Sequence, residues 1–138
     1  MSEDILKDSW VPEGPISKKI KERIKKAGKR FHSNDNISEF IEDGEMDLLQ
    51  AEVQDKLQGV LDSLVIDTEN DPNSIDTGRR MAKMYVNEIM GGRYKTMPDP
   101  NSFPNYIENG YEGMLVVRSE LKSVCSHHHQ PVTGIAYI

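Results

Sequence analysis

The chain has 138 residues, 36% apolar and 29% charged, with a mean hydropathy of -0.62, which suits one soluble domain with one modest core. No apolar run approaches the roughly 20 residues that cross a bilayer. A net charge of -6 and an isoelectric point near 5.2 argue against general nucleic-acid binding, because affinity for phosphate rests on clustered lysine and arginine.

The N-terminus, Met1-Ser-Glu-Asp-Ile-Leu-Lys-Asp8, lacks the basic-then-apolar pattern of a secretory signal, so the expected location is the cytoplasm. Residues 1–15, with Pro12, Gly14 and Pro15 around the single Trp10, read as an extended lead-in. The stretch from Lys18 to Arg30 then carries eight of the 17 basic residues. Ile16, Ile20 and Ile24 recur at helical spacing through it, so the lysines are read as the solvated flank of an amphipathic helix rather than as an RNA-binding arm.

Ser33-Asn-Asp-Asn36 is a cluster of capping residues and Asp43-Gly44 is a second break. Met46, Leu49, Val53, Leu57, Val60, Leu61 and Leu64 repeat at intervals of three and four, which predicts a second helix with one apolar stripe. After the loop from Asp67 to Ser74, the hydroxyl of Thr77 is expected to cap a third helix running to Gly91-Gly92, with Met81, Met84, Tyr85 and Ile89 on its buried side. Residues 95–112, with Pro98, Pro100 and Pro104, read as a connector.

From Met114 the period changes to alternation: Leu115, Val117, Ser119, Leu121, Ser123 and Cys125 fall on one face of a predicted strand. Residues 128–134 are expected to turn the chain, and Ile135-Ala-Tyr-Ile138 to begin a second, antiparallel strand. The fold class is therefore α+β: N-terminal helices followed by an antiparallel sheet, of which this chain holds a first hairpin. The expected divisions are an N-terminal extension with the basic helix (1–44), a helical region and connector (45–112) and the hairpin (113–138).

The turn holds the only cysteine and three of the four histidines, in Cys125-Ser-His-His-His-Gln-Pro131. A lone cysteine forms no internal disulfide, and the histidines beside it favour metal ligation. Zinc takes thiolate sulfur and imidazole nitrogen, and a catalytic zinc keeps three protein ligands and a water whose pKa falls to about 7. Cys125 and His128 have a spacing that can bring sulfur and nitrogen toward one point, leaving His127 to move protons near neutral pH, with His129 a spare candidate. The competing reading is a histidine-rich surface loop with incidental metal affinity, since Cys-x-x-His is weak by itself.

Two blocks carry a resemblance to a known family. Thr77-Gly-Arg-Arg-Met-Ala-Lys-Met-Tyr-Val-Asn-Glu-Ile-Met-Gly-Gly92 resembles the Thr-Pro-x-Arg-x-Ala-Lys-Met-Tyr helix of GTP cyclohydrolase I, and Cys125-Ser-His-His-His-Gln-Pro-Val-Thr-Gly134 resembles its Cys-Glu-His-His-x-x-Pro-x-x-Gly turn. The resemblance covers about residues 57–138. It implies a sheet of the tunnelling-fold type, incomplete here, and a homo-oligomer, usually a ring of ten subunits with active sites at subunit contacts. It implies GTP as substrate, opened hydrolytically at carbon 8 of guanine with loss of formate to give 7,8-dihydroneopterin triphosphate, at the start of the pterin and folate pathway. It implies Zn2+ held by Cys125 and His128, His127 as the proton-transferring catalytic residue, and Arg80 on the triphosphate from a neighbouring subunit.

The departures are Ser126 for the usual glutamate, His129 for an apolar residue and Gly78 for proline. The family's third zinc ligand, a second cysteine, its guanine-anchoring glutamate and most of its phosphate-binding residues lie downstream of the turn, beyond residue 138. The alternative implied is a noncatalytic homologue that binds metal or a full-length cyclohydrolase; a histidine-loop metal sequestrator is a third reading.

Overall fold

The computed structural model describes residues 14–102, 104, 110 and 113–138. The lead-in with Trp10 and much of the connector read from the sequence lie outside the described residues. The chain divides into two compact units, Met1–Lys95 and Thr96–Ile138. Among the described residues the first is helical and the second holds a two-stranded antiparallel sheet, so the fold class is α+β.

Helix α1, Ile16–Lys26, buries Ile16, Ile20 and Ile24 on one face and leaves Lys18, Lys21, Lys25 and Lys26 in solvent, as the isoleucine spacing dictates. Its opening turn is capped from a distance: Glu52 accepts hydrogen bonds from the Ser17 amide, at 2.9 Å, and from the Ser17 hydroxyl. At its other end Gly28, at φ 65°, lets the Lys29 amide reach back to the Ile24 carbonyl at 3.1 Å, satisfying an open carbonyl of the last turn.

Helix α2, Glu45–Ser63, follows Gly44. Leu49 joins the α1 isoleucines and Ile37 in the core, with Phe31, Phe40, Ile41 and Tyr94 packed around them. The expected apolar stripe is only partly inside: Leu49 and Leu61 are buried, whereas Val60 and Leu64 are exposed. Among the described residues the buried charge is Glu45, at 4% exposure. Arg23 of α1 meets it with two parallel bonds of 2.6 Å each and donates a third to the Phe40 carbonyl at 2.9 Å. The Glu42 amide donates to the same carboxylate at 2.9 Å.

Just past the Leu64 C-cap of α2, Val65 has a φ of 61°, which places a β-branched residue in the left-handed region, 90% exposed. The Ile66 amide bonds back to the Leu61 carbonyl there, the arrangement that glycine ordinarily serves. Because Val65 meets a steric cost that glycine escapes, Val65→Gly is expected to raise stability by about 1 kcal/mol, read from urea unfolding. A loss of stability would show that the valine side chain itself contributes.

Helix α3, Thr77–Lys83, corrects two sequence expectations. Thr77 is its first helical residue, not its cap; the N-cap position is Asp76, no side chain caps the helix, and the Thr77 hydroxyl donates to the Asn73 carbonyl at 3.3 Å. The α-helix also stops at Lys83 and continues as a π-helical turn, Met84–Ile89, closed by the Met90 amide on the Tyr85 carbonyl at 2.8 Å. A separate short helix, α4, spans Gly91–Tyr94.

The buried stripe of this segment is Gly78, Ala82 and Val86, while Met81, Met84, Tyr85 and Ile89 are half-buried. The physical reason is close approach of α2 and α3. A Cβ on Gly78 would lie 3.1 Å from Gln58 Oε1 and 3.6 Å from the Gln58 amide, so small residues face the contact and the methionines flank it. The capping cluster holds the far end: Asn36 donates to the Gly92 and Lys95 carbonyls at 2.8 and 2.7 Å, and Arg93 donates to those of Phe31, His32, Ser33 and Asp35.

In the second unit, strand β1 is Arg118–Val124 and β2 is Pro131–Tyr137, in antiparallel register with Leu121 opposite Gly134 and Val124 opposite Pro131. β1 starts later than the alternation from Met114 suggests. β2 starts four residues earlier than expected, because only residues 125–130 separate the two strands. Val117, Leu121, Val132, Ala136 and Ile138 fall on one face by that register, and Val117, Leu121, Val132 and Ile138 are each at least 45% exposed.

Candidate active site

The hairpin brings three of the four candidate residues into one turn. Cys125 follows the last residue of β1, and its amide donates to the Gln130 carbonyl at 2.9 Å. The His129 amide returns to the Cys125 carbonyl, also at 2.9 Å. Between these bonds the chain carries Ser126, His127 and His128, all exposed.

The His127 and His128 rings stack face to face, centroids 4.8 Å apart and planes 7° from parallel. Cys125 is an exposed free thiol. Strand pairing thus fixes the backbone on both sides of the turn while the thiol and imidazoles face water, where a ligand can reach them.

The donor chemistry suits zinc, since thiolate and imidazole are its preferred ligands. The set is short, however: among the described residues no three His, Cys, Asp or Glu side chains come together to hold a metal ion. Cys125 and His128 are two donors of the right kind, and a cage needs a further one from outside these residues.

Arg80 lies in the other unit, on α3, with its side chain 61% exposed and its Nε 3.6 Å from the Asp76 carboxylate. Asp76 is shared, because Arg79 makes the closer pair with it. That Arg79 hydrogen bond, followed by the charges of both arginines, holds the Asp76 carboxyl below its ordinary range despite some desolvation. An exposed pair of this kind contributes little to stability, so the Arg80 guanidinium is available to an anion.

One participant escaped the sequence reading as a backbone element: His129, weighed only as a spare imidazole, sits at φ 55° in the left-handed region. Histidine is among the few residues enriched in that region, which was the available signal.

A family profile for GTP cyclohydrolase I matches residues 53–138. The chain belongs to the GTP cyclohydrolase I family. Among curated relatives, GTP cyclohydrolase 1 of Buchnera aphidicola subsp. Schizaphis graminum is 38% identical over 103 residues, covering 71% of this chain and 44% of that protein. The protein of the same name from Actinobacillus pleuropneumoniae serotype 5b is 36% identical over 89 residues, covering 64% of this chain and 40% of the relative. That from Aeromonas salmonicida is 32% identical over 91 residues, with the same coverage of 64% and 40%. The chain thus spans less than half the length of these relatives. No helix among the described residues is long and apolar enough to cross a membrane.

Proposed function

We propose that this chain supplies part of a zinc-dependent GTP cyclohydrolase I active site, catalysing hydrolytic opening of the guanine five-membered ring of GTP with release of formate and formation of 7,8-dihydroneopterin triphosphate. The observation that carries the reading is the single turn holding Cys125, His127 and His128, in a chain matched to the family through residue 138. Cys125 and His128 would hold zinc, with the third ligand, a second thiolate, and the guanine anchor coming from the downstream region that the resemblance implies. Zinc, when held, supplies the Lewis acidity that lets water attack near neutral pH.

His127 transfers protons at the guanine ring, its imidazole kept in place by the stack on His128. Arg80 binds triphosphate oxygens as a neighbouring subunit's contribution, a task for which a planar guanidinium is well suited. The exposed apolar face of the hairpin supports assembly with further strands into a sheet of the tunnelling-fold type, since two strands are marginal alone, and so supports a homo-oligomer. A cytoplasmic location accords with this reading.

The second reading is a noncatalytic homologue that binds metal or a full-length cyclohydrolase. The test is incubation with GTP and zinc, followed by oxidation and measurement of pterin fluorescence. It is run on the 138-residue chain and on the same chain continued by the C-terminal part of the Aeromonas salmonicida relative. The first reading expects little product from the chain alone and clear product from the continued form; no product from either supports the second.

A further inference from the structure

The loop that presents Cys125 and His128 closes on a backbone conformation that most side chains disfavour. Its two closing hydrogen bonds both involve the backbone of Cys125, whose amide donates to Gln130 and whose carbonyl accepts from His129. His129 stands two residues before β2 with φ 55°, where a left-handed residue returns the chain to the partner strand. Pro131 follows within two residues as the first residue of β2, a position that proline tolerates in a strand. Any displacement at 129 is therefore passed directly to the backbone of Cys125.

We infer that His129 is a positioning residue whose left-handed backbone, rather than its imidazole, sets Cys125 and His128 at the spacing from which they take a metal ion. This rests on the reading of those two side chains as the zinc donors. Glycine enters the left-handed region freely, and a β-branched residue resists it most strongly. The two substitutions therefore separate backbone from side chain, since both remove the imidazole.

The test uses the chain continued by the C-terminal part of the Aeromonas salmonicida relative, which supplies the third donor, and its His129→Gly and His129→Val variants, with far-UV circular dichroism confirming that the helices are intact. Cobalt(II) titration is followed by thiolate-to-metal charge-transfer absorption, and hydrogen exchange of the Cys125 and His129 amides is measured without metal. His129→Gly is expected to bind cobalt within about threefold of the parent. His129→Val is expected to bind about tenfold or more weakly, the scale of lost supporting contacts at metal sites, and to lose protection at both amides. Equal weakening in the two variants would overturn the inference in favour of an imidazole ligand, as would a valine variant that binds like the parent. Should the parent show no cobalt–thiolate absorption, the zinc reading itself fails. The exchange data then decide alone, and undiminished protection at Cys125 and His129 in the valine variant overturns the role of residue 129.

Discussion

Replacing Arg23 with alanine is expected to destabilise the helical unit by about 3 kcal/mol, because it strands a buried carboxylate. The Glu45 side chain is 5% exposed, and Arg23 satisfies both of its oxygens at once. With the guanidinium gone, the Glu42 amide is the hydrogen bond left to that carboxylate among the described residues, which is insufficient for a desolvated charge. Arg23→Lys should fall between, since an ammonium cannot span two oxygens and the Phe40 carbonyl in the same geometry. Urea unfolding gives the measurement, and a difference under about 0.5 kcal/mol for the alanine variant would remove the pair from the account of stability.

The pH dependence of that pair has a definite sign. The Arg23 hydrogen bond, then the Glu42 amide and nearby cations, hold the Glu45 carboxyl below its ordinary value against the opposing effect of burial. A depressed carboxyl contributes stability that is complete above its unfolded pKa, about 4.3, and is lost as pH falls through the folded value. Asp35, held down to about 2 chiefly by the Arg30 hydrogen bond, acts in the same direction between about pH 4 and 2. The parent should therefore lose stability on acidification more steeply than Arg23→Ala, which has already lost the Glu45 contribution.

The second large effect concerns turnover. In the form continued through the downstream family region, His127→Ala is expected to lower pterin formation by about 10²- to 10⁴-fold, the range for a lost proton-transferring side chain. Zinc affinity should be nearly unchanged, because on this reading His127 donates nothing to the metal. The stacked His128 ring bears on the interpretation: removing His127 takes away a 4.8 Å neighbour, so a small shift in affinity is compatible with the role. Loss of zinc in step with activity would instead make His127 a ligand, and equal product from variant and parent would remove its catalytic role.

Legibility in the sequence followed the kind of signal each element leaves. The buried face of α1 was readable because three isoleucines at four-residue spacing have one explanation. The inner face of α3 was not, because Gly78 and Ala82 contribute close approach rather than hydrophobicity, and the methionines beside them mimic a core stripe. The Arg23–Glu45 pair spans 22 positions and leaves no local pattern. In the hairpin, Pro131 reads as a turn residue, yet it opens β2, where a missing amide proton is tolerated. The turn itself stood out through its cysteine and histidines, whereas the left-handed backbone at His129 is a property of the folded loop.

The most direct measurement is the zinc content of purified protein assembled with the downstream family region, before and after dialysis against a chelator, for the parent and for Cys125→Ala and His128→Ala. The account expects bound zinc in the parent, its removal by chelator together with loss of pterin formation, and little metal in either variant. Metal-free parent protein that makes pterin regardless of chelator would contradict it.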